Sequence, residues 1–224
     1  LSWLGAALTG DFGKSFVTRQ PVLGELLNRL IVTIQLTLLA AVIAAVMGVA
    51  SGLAAARLRG ATDWLVRLWN GLMLAVPNYV VATLIVLLFG LYFPEITVLG
   101  YTPFLESPLG NLASLLLPAF ALALAVSVTI AENTRAAVLE VANQDFVMVA
   151  RAKGLTPAAI LRDYLMRNAL TPVITAAGLK IAALLGGSIL VETIFAIPGM
   201  GQYLFDSINS RDYPVIQAIV LVAA

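Results

Sequence analysis

The chain has 224 residues, 61% of them hydrophobic and 11% charged, with a formal net charge of +1; a soluble domain carries about a quarter charged residues, so this reads as a membrane chain. It contains no cysteine and no histidine, which excludes a disulfide framework, a zinc site and a thiol nucleophile, and removes the commonest catalytic bases and metal ligands. Hydrolase and metalloenzyme chemistry is disfavoured, and a charge of +1 carries no nucleic-acid signature.

The sequence has neither an initiating Met nor a signal peptide and stops inside an apolar run, 213–224, shorter than the about 20 residues a crossing needs; it is expected to be an internal piece of a longer chain. Residues 1–29 are mixed and amphipathic. Within Gly10-Asp-Phe-Gly-Lys-Ser-Phe16, Gly13, Lys14 and Ser15 imitate the end of a phosphate-binding loop. That motif needs a glycine five positions earlier, where Leu8 stands, and a preceding buried strand, so the nucleotide reading fails.

Residues 31–56 carry no charge and form the first complete span, necessarily helical because its backbone must be satisfied internally. Gly48, Ser51, Gly52, Ala55 and Ala56 gather in its second half, and such small residues predict packing on protein rather than lipid. A loop with Arg57, Arg59 and Arg67 leads to the second span, 68–93, where Pro77-Asn78 removes a helical hydrogen bond and kinks the crossing. Residues 94–111 hold Glu95, Glu106 and three prolines but no Lys or Arg, and read as an irregular loop on the opposite side. The third span is 112–131, with Pro118 in its first turns, where proline does least harm.

Residues 133–171 are the one stretch built for water. Phe146, Val149 and Ala150 share a helical face, and Gly154 stands where a left-handed C-terminal cap would end the helix. Thr156 is placed to N-cap a second helix, with Pro157 at its first position. Ile160, Leu161, Tyr164 and Leu165 give that helix an apolar stripe beside Arg162, Asp163 and Arg167. From the residues alone, this unit reads equally as a surface connector that shields lipid headgroups. The fourth span, 172–191, contains Lys180, about 12 Å along the helix from Pro172, where membrane insertion of a lysine costs about 2.5 to 3.5 kcal/mol. Such a residue faces a bundle interior or a wet cavity, or else snorkels or pairs with a neighbouring helix.

Charge orients the chain. The loop 57–67 and the stretch 133–171 hold Arg57, Arg59, Arg67, Arg135, Arg151, Lys153, Arg162 and Arg167, whereas the two opposite loops hold only Arg211. The positive-inside rule makes the Arg-rich side cytoplasmic.

Ala150-Arg-Ala-Lys-Gly-Leu155, followed by Arg167-Asn-Ala-Leu-Thr-Pro-Val173, resembles the cytoplasmic coupling loop of binding-protein-dependent ABC-transporter permeases of the dipeptide, oligopeptide and nickel group. In that family the loop carries Glu-Ala-Ala, three residues, then Gly, and docks into a groove on the ATPase subunit. Here Ala150 and Gly154 hold the last Ala and the Gly, while Met148 and Val149 replace Glu-Ala. The segment from Gly10 to Phe16 resembles the family's Gly-Asp-x-Gly-x-Ser-Phe element. Glu192-Thr-Ile-Phe-Ala-Ile-Pro-Gly-Met-Gly-Gln-Tyr203 and Arg211-Asp-Tyr-Pro214 match its Glu-x-x-Phe-x-x-Pro-Gly-x-Gly and Arg-Asp-Tyr-Pro elements.

The resemblance implies an all-α, polytopic transmembrane helical bundle of the type I importer permease kind. It implies about six helices in the full chain, four complete here, with one more before Leu1 and the last completed after Ala224, in a single permease domain of a bacterial or archaeal plasma membrane. ATP and Mg would be used by two ATP-binding cassette ATPase subunits and not by this chain, which is not itself an enzyme. A second homologous permease and an extracytoplasmic substrate-binding protein complete the implied partners. The coupling residues would be Ala150, Arg151, Ala152, Lys153, Gly154, Leu155, Thr156, Pro157, Ile160 and Leu161, with Pro157 to Leu161 a short docking helix whose Ile160 and Leu161 bury into the ATPase groove. Lys180, Pro77 and Asn78 are candidates for the translocation path. Gly13, Glu192, Pro198, Gly199 and Gly201 are candidates for the binding-protein side, with a turn role for Gly199 and Gly201 favoured over direct substrate contact. The implied cargo is short peptides or a related solute; relatives also carry nickel chelates, glutathione and opines. The rival reading, an ATP-independent channel or secondary transporter, calls for buried acidic or polar residues in the spans, where Lys180 is the only charge.

Overall fold

Helix α1 spans Val22–Arg57, α2 Ala61–Ala75, α3 Asn78–Tyr92, α4 Pro108–Ala142, α5 Asp145–Ala152, α6 Pro157–Ala159, α7 Met166–Phe195, α8 Met200–Asn209 and α9 Tyr213–Ala223; a π-helical stretch, Ile160–Leu165, joins α6 to α7. The structure is a computed structural model that describes residues 5, 7, 9–57 and 61–223. Among these, α1 and α4 are each long and apolar enough to cross a membrane. Two broken pairs, Leu68–Ala75 with Asn78–Tyr92 and Val173–Lys180 with Leu184–Ile194, make four crossings if each pair counts as one. The all-α polytopic class is therefore observed.

Several boundaries differ from the sequence expectation. Helix α1 starts at Val22 because Val22 and Leu26, one turn apart, are buried against Met200, Val215, Ala218 and Ile219, while Arg29 pairs with Glu25 at 2.6 Å on the same helix. The proline in 68–93 breaks the crossing outright: α2 stops at Ala75 and α3 starts at Asn78, since Pro77 has no N–H and restricts Val76 before it. Helix α4 runs on to Ala142, so the first ten residues of the hydrophilic stretch are helical, and Pro118 lies inside the helix rather than in its first turns.

Where the sequence suggested one domain, packing divides the chain into two compact units, one of residues 1–40, 78–122 and 183–224, the other of 41–77 and 123–182. The second unit is assembled on close helix approach between α1 and α4. A Cβ on Gly48 would lie 2.6 Å from Ile130 Cβ, and one on Gly52 2.7 Å from Thr134 Cβ, so the expected small-residue face does pack on protein. Around it Ala44, Ala123, Ile130 and Val138 form a core that receives Val147 and Ala150 from α5 and Ile160, Leu165, Ala169 and Val173 from the helix that follows.

In the first unit, α8 takes its N-terminal cap from distant residues. Its N-cap, Gly199, offers no side chain, so the first N–H groups need outside acceptors. Thr33 Oγ1 accepts from Met200 N–H at 2.8 Å and donates to Glu192 Oε1 at 2.8 Å. Glu192 Oε2 accepts from Gly201 N–H at 2.7 Å and Gln202 N–H at 3.1 Å. The carboxylate has 0% exposure, and these donors, at the positive end of the α8 dipole, offset its desolvation. A Cβ on Gly199 would fall on that carboxylate, and one on Gly201 would lie 2.6 Å from Ile189 Cα. A second joint ties the loop closed by the Lys14–Pro21 bridge to the start of α9. Asp212 accepts from Ser15 Oγ and, at 3.0 Å, from Phe16 N–H.

Two outcomes test this packing. Gly52→Val is expected to overpack the α1–α4 contact at a cost of about 1 to 3 kcal/mol, read as a lower melting temperature of the detergent-solubilised complex, whereas Gly24→Ala, where a Cβ meets nothing within 4 Å, leaves it unchanged. Glu192→Gln removes acceptor capacity facing two N–H groups, at about 1 to 3 kcal/mol for each buried donor left open. Hydrogen exchange at Gly201 and Gln202 should accelerate accordingly.

Candidate functional site

The stretch between α5 and α7 is built by two local capping devices in succession. Helix α5 ends in a pair of bonds that satisfy its last carbonyls: Gly154 N–H donates to Arg151 O at 2.9 Å and Leu155 N–H to Ala150 O at 3.3 Å. This closure requires a left-handed residue, and Gly154 supplies φ +78°. A Cβ there would meet nothing within 4 Å, so the glycine is required by its backbone angle alone and not by close approach. Two residues later the chain re-enters a helix. Thr156 Oγ1 accepts from Ala159 N–H at 3.3 Å and Pro157 occupies the first position, as the residue types led one to expect.

Beyond Pro157 the structure departs from the expected short docking helix. A π-helical turn at Ile160–Leu165, with Met166 N–H donating to Leu161 O, leads directly into α7, so the second helix is the cytoplasmic start of the fourth crossing. The wider turn places residues five apart on one face; Ile160 and Leu165 both point into the core, followed by Ala169 and Val173 at α-helical spacing. Ile160 is therefore fully engaged inside this chain and Leu161 is half-buried. The buried side chain of Ile160 mounts the helix on its own core, while Leu161 stays at the surface beside the groove described below.

Helix α5 shows a similar shift of face. Val147 and Ala150 are the buried pair, while Phe146, Met148 and Val149 are exposed, Met148 at 69%. The pair at i and i+3 was present in the sequence, and the reading of Phe146 with Val149 passed over it. Phe146 stacks on Tyr164, ring centroids 6.3 Å apart at 25°, which clamps α5 against the π turn. Arg151, Ala152, Lys153, Gly154, Leu155, Thr156 and Pro157 are all exposed. Beside them runs a groove of about 570 Å³ whose lining includes Arg57, Arg151, Leu155, Pro157 and Leu161. Arg162 and Asp163 form an exposed two-pronged pair, 2.6 and 3.0 Å, and the hydrogen bond from Arg162 holds the Asp163 carboxyl below the usual carboxylate range. Such an exposed pair orders the surface more than it stabilises the fold.

The other candidate residues divide. Lys180 is exposed on α7, Pro77 is exposed at the break and Asn78 is half-buried. Gly13 is exposed with φ +81°, its N–H donating to Asp11 Oδ1 at 2.9 Å. Glu192, Gly199 and Gly201 are buried in the cap of α8 and Pro198 is half-buried. What this unit exposes is Phe16 and Val17 on the loop tip and Phe205 and Ile208 on α8. The partnership of Ser15 with Asp212, 197 positions apart, and that of Thr33 with Glu192 carried no local sequence signal.

Among known proteins, residues 48–224 match the family of binding-protein-dependent transport system inner membrane components. The chain is 42% identical over 220 residues to a putative peptide transport system permease protein of Brucella suis biovar 1 (strain 1330), covering 98% of this chain and 70% of that protein. It is 38% identical over 216 residues to the dipeptide transport system permease protein DppB of Bacillus subtilis (strain 168), covering 96% and 68%. A crystal structure of an amino acid ABC transporter with histidines superposes with a TM-score of 0.65 at 20% identity, over 89% of this chain and 86% of that one, a likeness of fold. With its apolar crossings in place, the chain belongs to the family of inner membrane components of binding-protein-dependent transport systems, as a permease subunit of an ABC importer.

Proposed function

We propose that this permease carries short peptides across a bacterial or archaeal inner membrane, driven by two ATP-binding cassette ATPase subunits that use ATP and Mg and dock on α5 and the turn after it. A second homologous permease and an extracytoplasmic binding protein complete the assembly. The observation that carries this reading is the exposed apolar face of Phe146, Met148, Val149 and Leu155, set among Arg151 and Lys153 on the Arg-rich side. It is mounted on a core that continues into the fourth crossing. An apolar face rimmed by charge suits a protein groove. Because α6, the π turn and α7 follow without a loop, a push on the turn is delivered to a crossing, which rocks between two states. The peptide cargo is supported by the relatives of Brucella and Bacillus, both described as peptide or dipeptide permeases. Lys180, Pro77 and Asn78 stand as residues of the path, and the exposed loop tip with Gly13 as part of the surface that meets the binding protein.

Gly154→Val forces a β-branched residue to a left-handed angle, at about 1 to 2 kcal/mol, and is expected to leave the protein in the membrane while cutting peptide-stimulated ATP hydrolysis by about tenfold. Gly154→Asn, which tolerates that angle, should retain most of it. Normal stimulation in the valine variant would count against the assignment. Met148→Asp changes only the exposed face; the purified complex should then lose ATPase subunits in a tagged pull-down, while wild type brings down both ATPases and the sister permease. A wild-type chain that transports alone would establish the rival channel or secondary carrier.

A further inference from the structure

Lys180 lies 13 residues from Arg167 on α7, hence about 20 Å along the axis, and is the last residue of the first half of the broken fourth crossing. Its side chain is exposed, and it makes no hydrogen bond or ion pair with the described residues. The four spans 31–56, 68–93, 112–131 and 172–191 contain no Asp or Glu. This chain therefore offers the lysine no counter-charge at its own depth. Its neighbour Leu179 is 74% exposed. A lysine at this depth faces a wet path or finds an anion, and a peptide cargo carries one.

We propose that Lys180 is a recognition point within the membrane for the terminal carboxylate of the peptide cargo. The proposal rests on the peptide-importer reading above and deepens it by assigning the cargo an orientation. Every unmodified short peptide carries one free carboxylate at one end and an ammonium at the other. An ammonium at mid-span attracts the first and repels the second, so the peptide presents its C-terminal end to α7. The contact is a charge-assisted hydrogen bond from Nζ to a carboxylate oxygen, reversible, with no bond made or broken.

The test uses the complete transporter in proteoliposomes with saturating binding protein, measuring ATP-dependent uptake of one tripeptide as the free acid and as its C-terminal amide. Affinity of the binding protein for each is measured separately, so that discrimination outside the membrane is divided out. The wild type is expected to carry the acid about tenfold faster than the amide once that correction is made. Lys180→Gln should bring the ratio of acid to amide rates to about one, chiefly through loss of the acid rate, and Lys180→Arg should restore the difference. Equal loss of both rates, or no change in their ratio, overturns the proposal. Failure of the Lys180→Gln complex to assemble assigns the lysine to a neighbouring subunit and also overturns it. No ATP-dependent uptake of either peptide by the wild type would instead refute the peptide-importer reading itself.

Discussion

A helix that stops leaves N–H and C=O groups without partners, costing several kcal/mol each where no water reaches them, and the joints of this chain are solutions to that constraint. Helix α5 closes its last carbonyls on Gly154 and Leu155. Helix α8 borrows Thr33 and Glu192 for its first three amides. At the other end of α8, Arg211 takes the left-handed angle, φ 57°, and Arg211 N–H and Asp212 N–H return to Ile208 O and Ser207 O. Each solution fixes the direction in which the chain leaves the helix, so satisfying the backbone and setting the geometry of the joints are one event.

The joint at Gly154 positions the candidate docking surface. With the turn closed, α5 lays Val147 and Ala150 into the same core that holds Ile160 and Leu165, and Phe146 stacks on Tyr164. What remains outside is a short helix with exposed apolar side chains. The knob is thus held from two directions, by its own buried face and by the helix that follows. A partner pressing on it meets a mounted element and not a loose loop, which is the mechanical condition for transmitting a conformational change.

What was legible in the sequence follows the range of the interaction involved. Gly154, Thr156 and Pro157 announced their roles because capping is decided within three or four residues, and the four crossings announced themselves by length and absence of charge. The apolar stripe of Ile160, Leu161, Tyr164 and Leu165 was visible, but its pattern fits an α turn and a π turn alike, so neither the continuity into α7 nor the inward aim of Ile160 could be read from it. The early start of α1 was hidden by Glu25 and Arg29, which look like loop residues until they pair with each other on one helix. The cap of Glu192 on α8 and the grip of Asp212 on Ser15 join residues 9 and 197 positions apart. Only the fold brings Ser15 to Asp212.

Lys180 and Glu192, two of the ionisable side chains of α7, make a clear contrast. Glu192 is fully buried, and hydroxyl and backbone donors are arranged around both of its oxygens; this charge is spent on holding a helix in place and has no capacity left for a ligand. Lys180, on the same helix, is exposed and makes no hydrogen bond or ion pair with the described residues. Burying an ion without partners is costly and structures that do so supply them, as this chain does for the glutamate. An exposed lysine needs no such supply, and on the proposal above its partner is one that comes and goes.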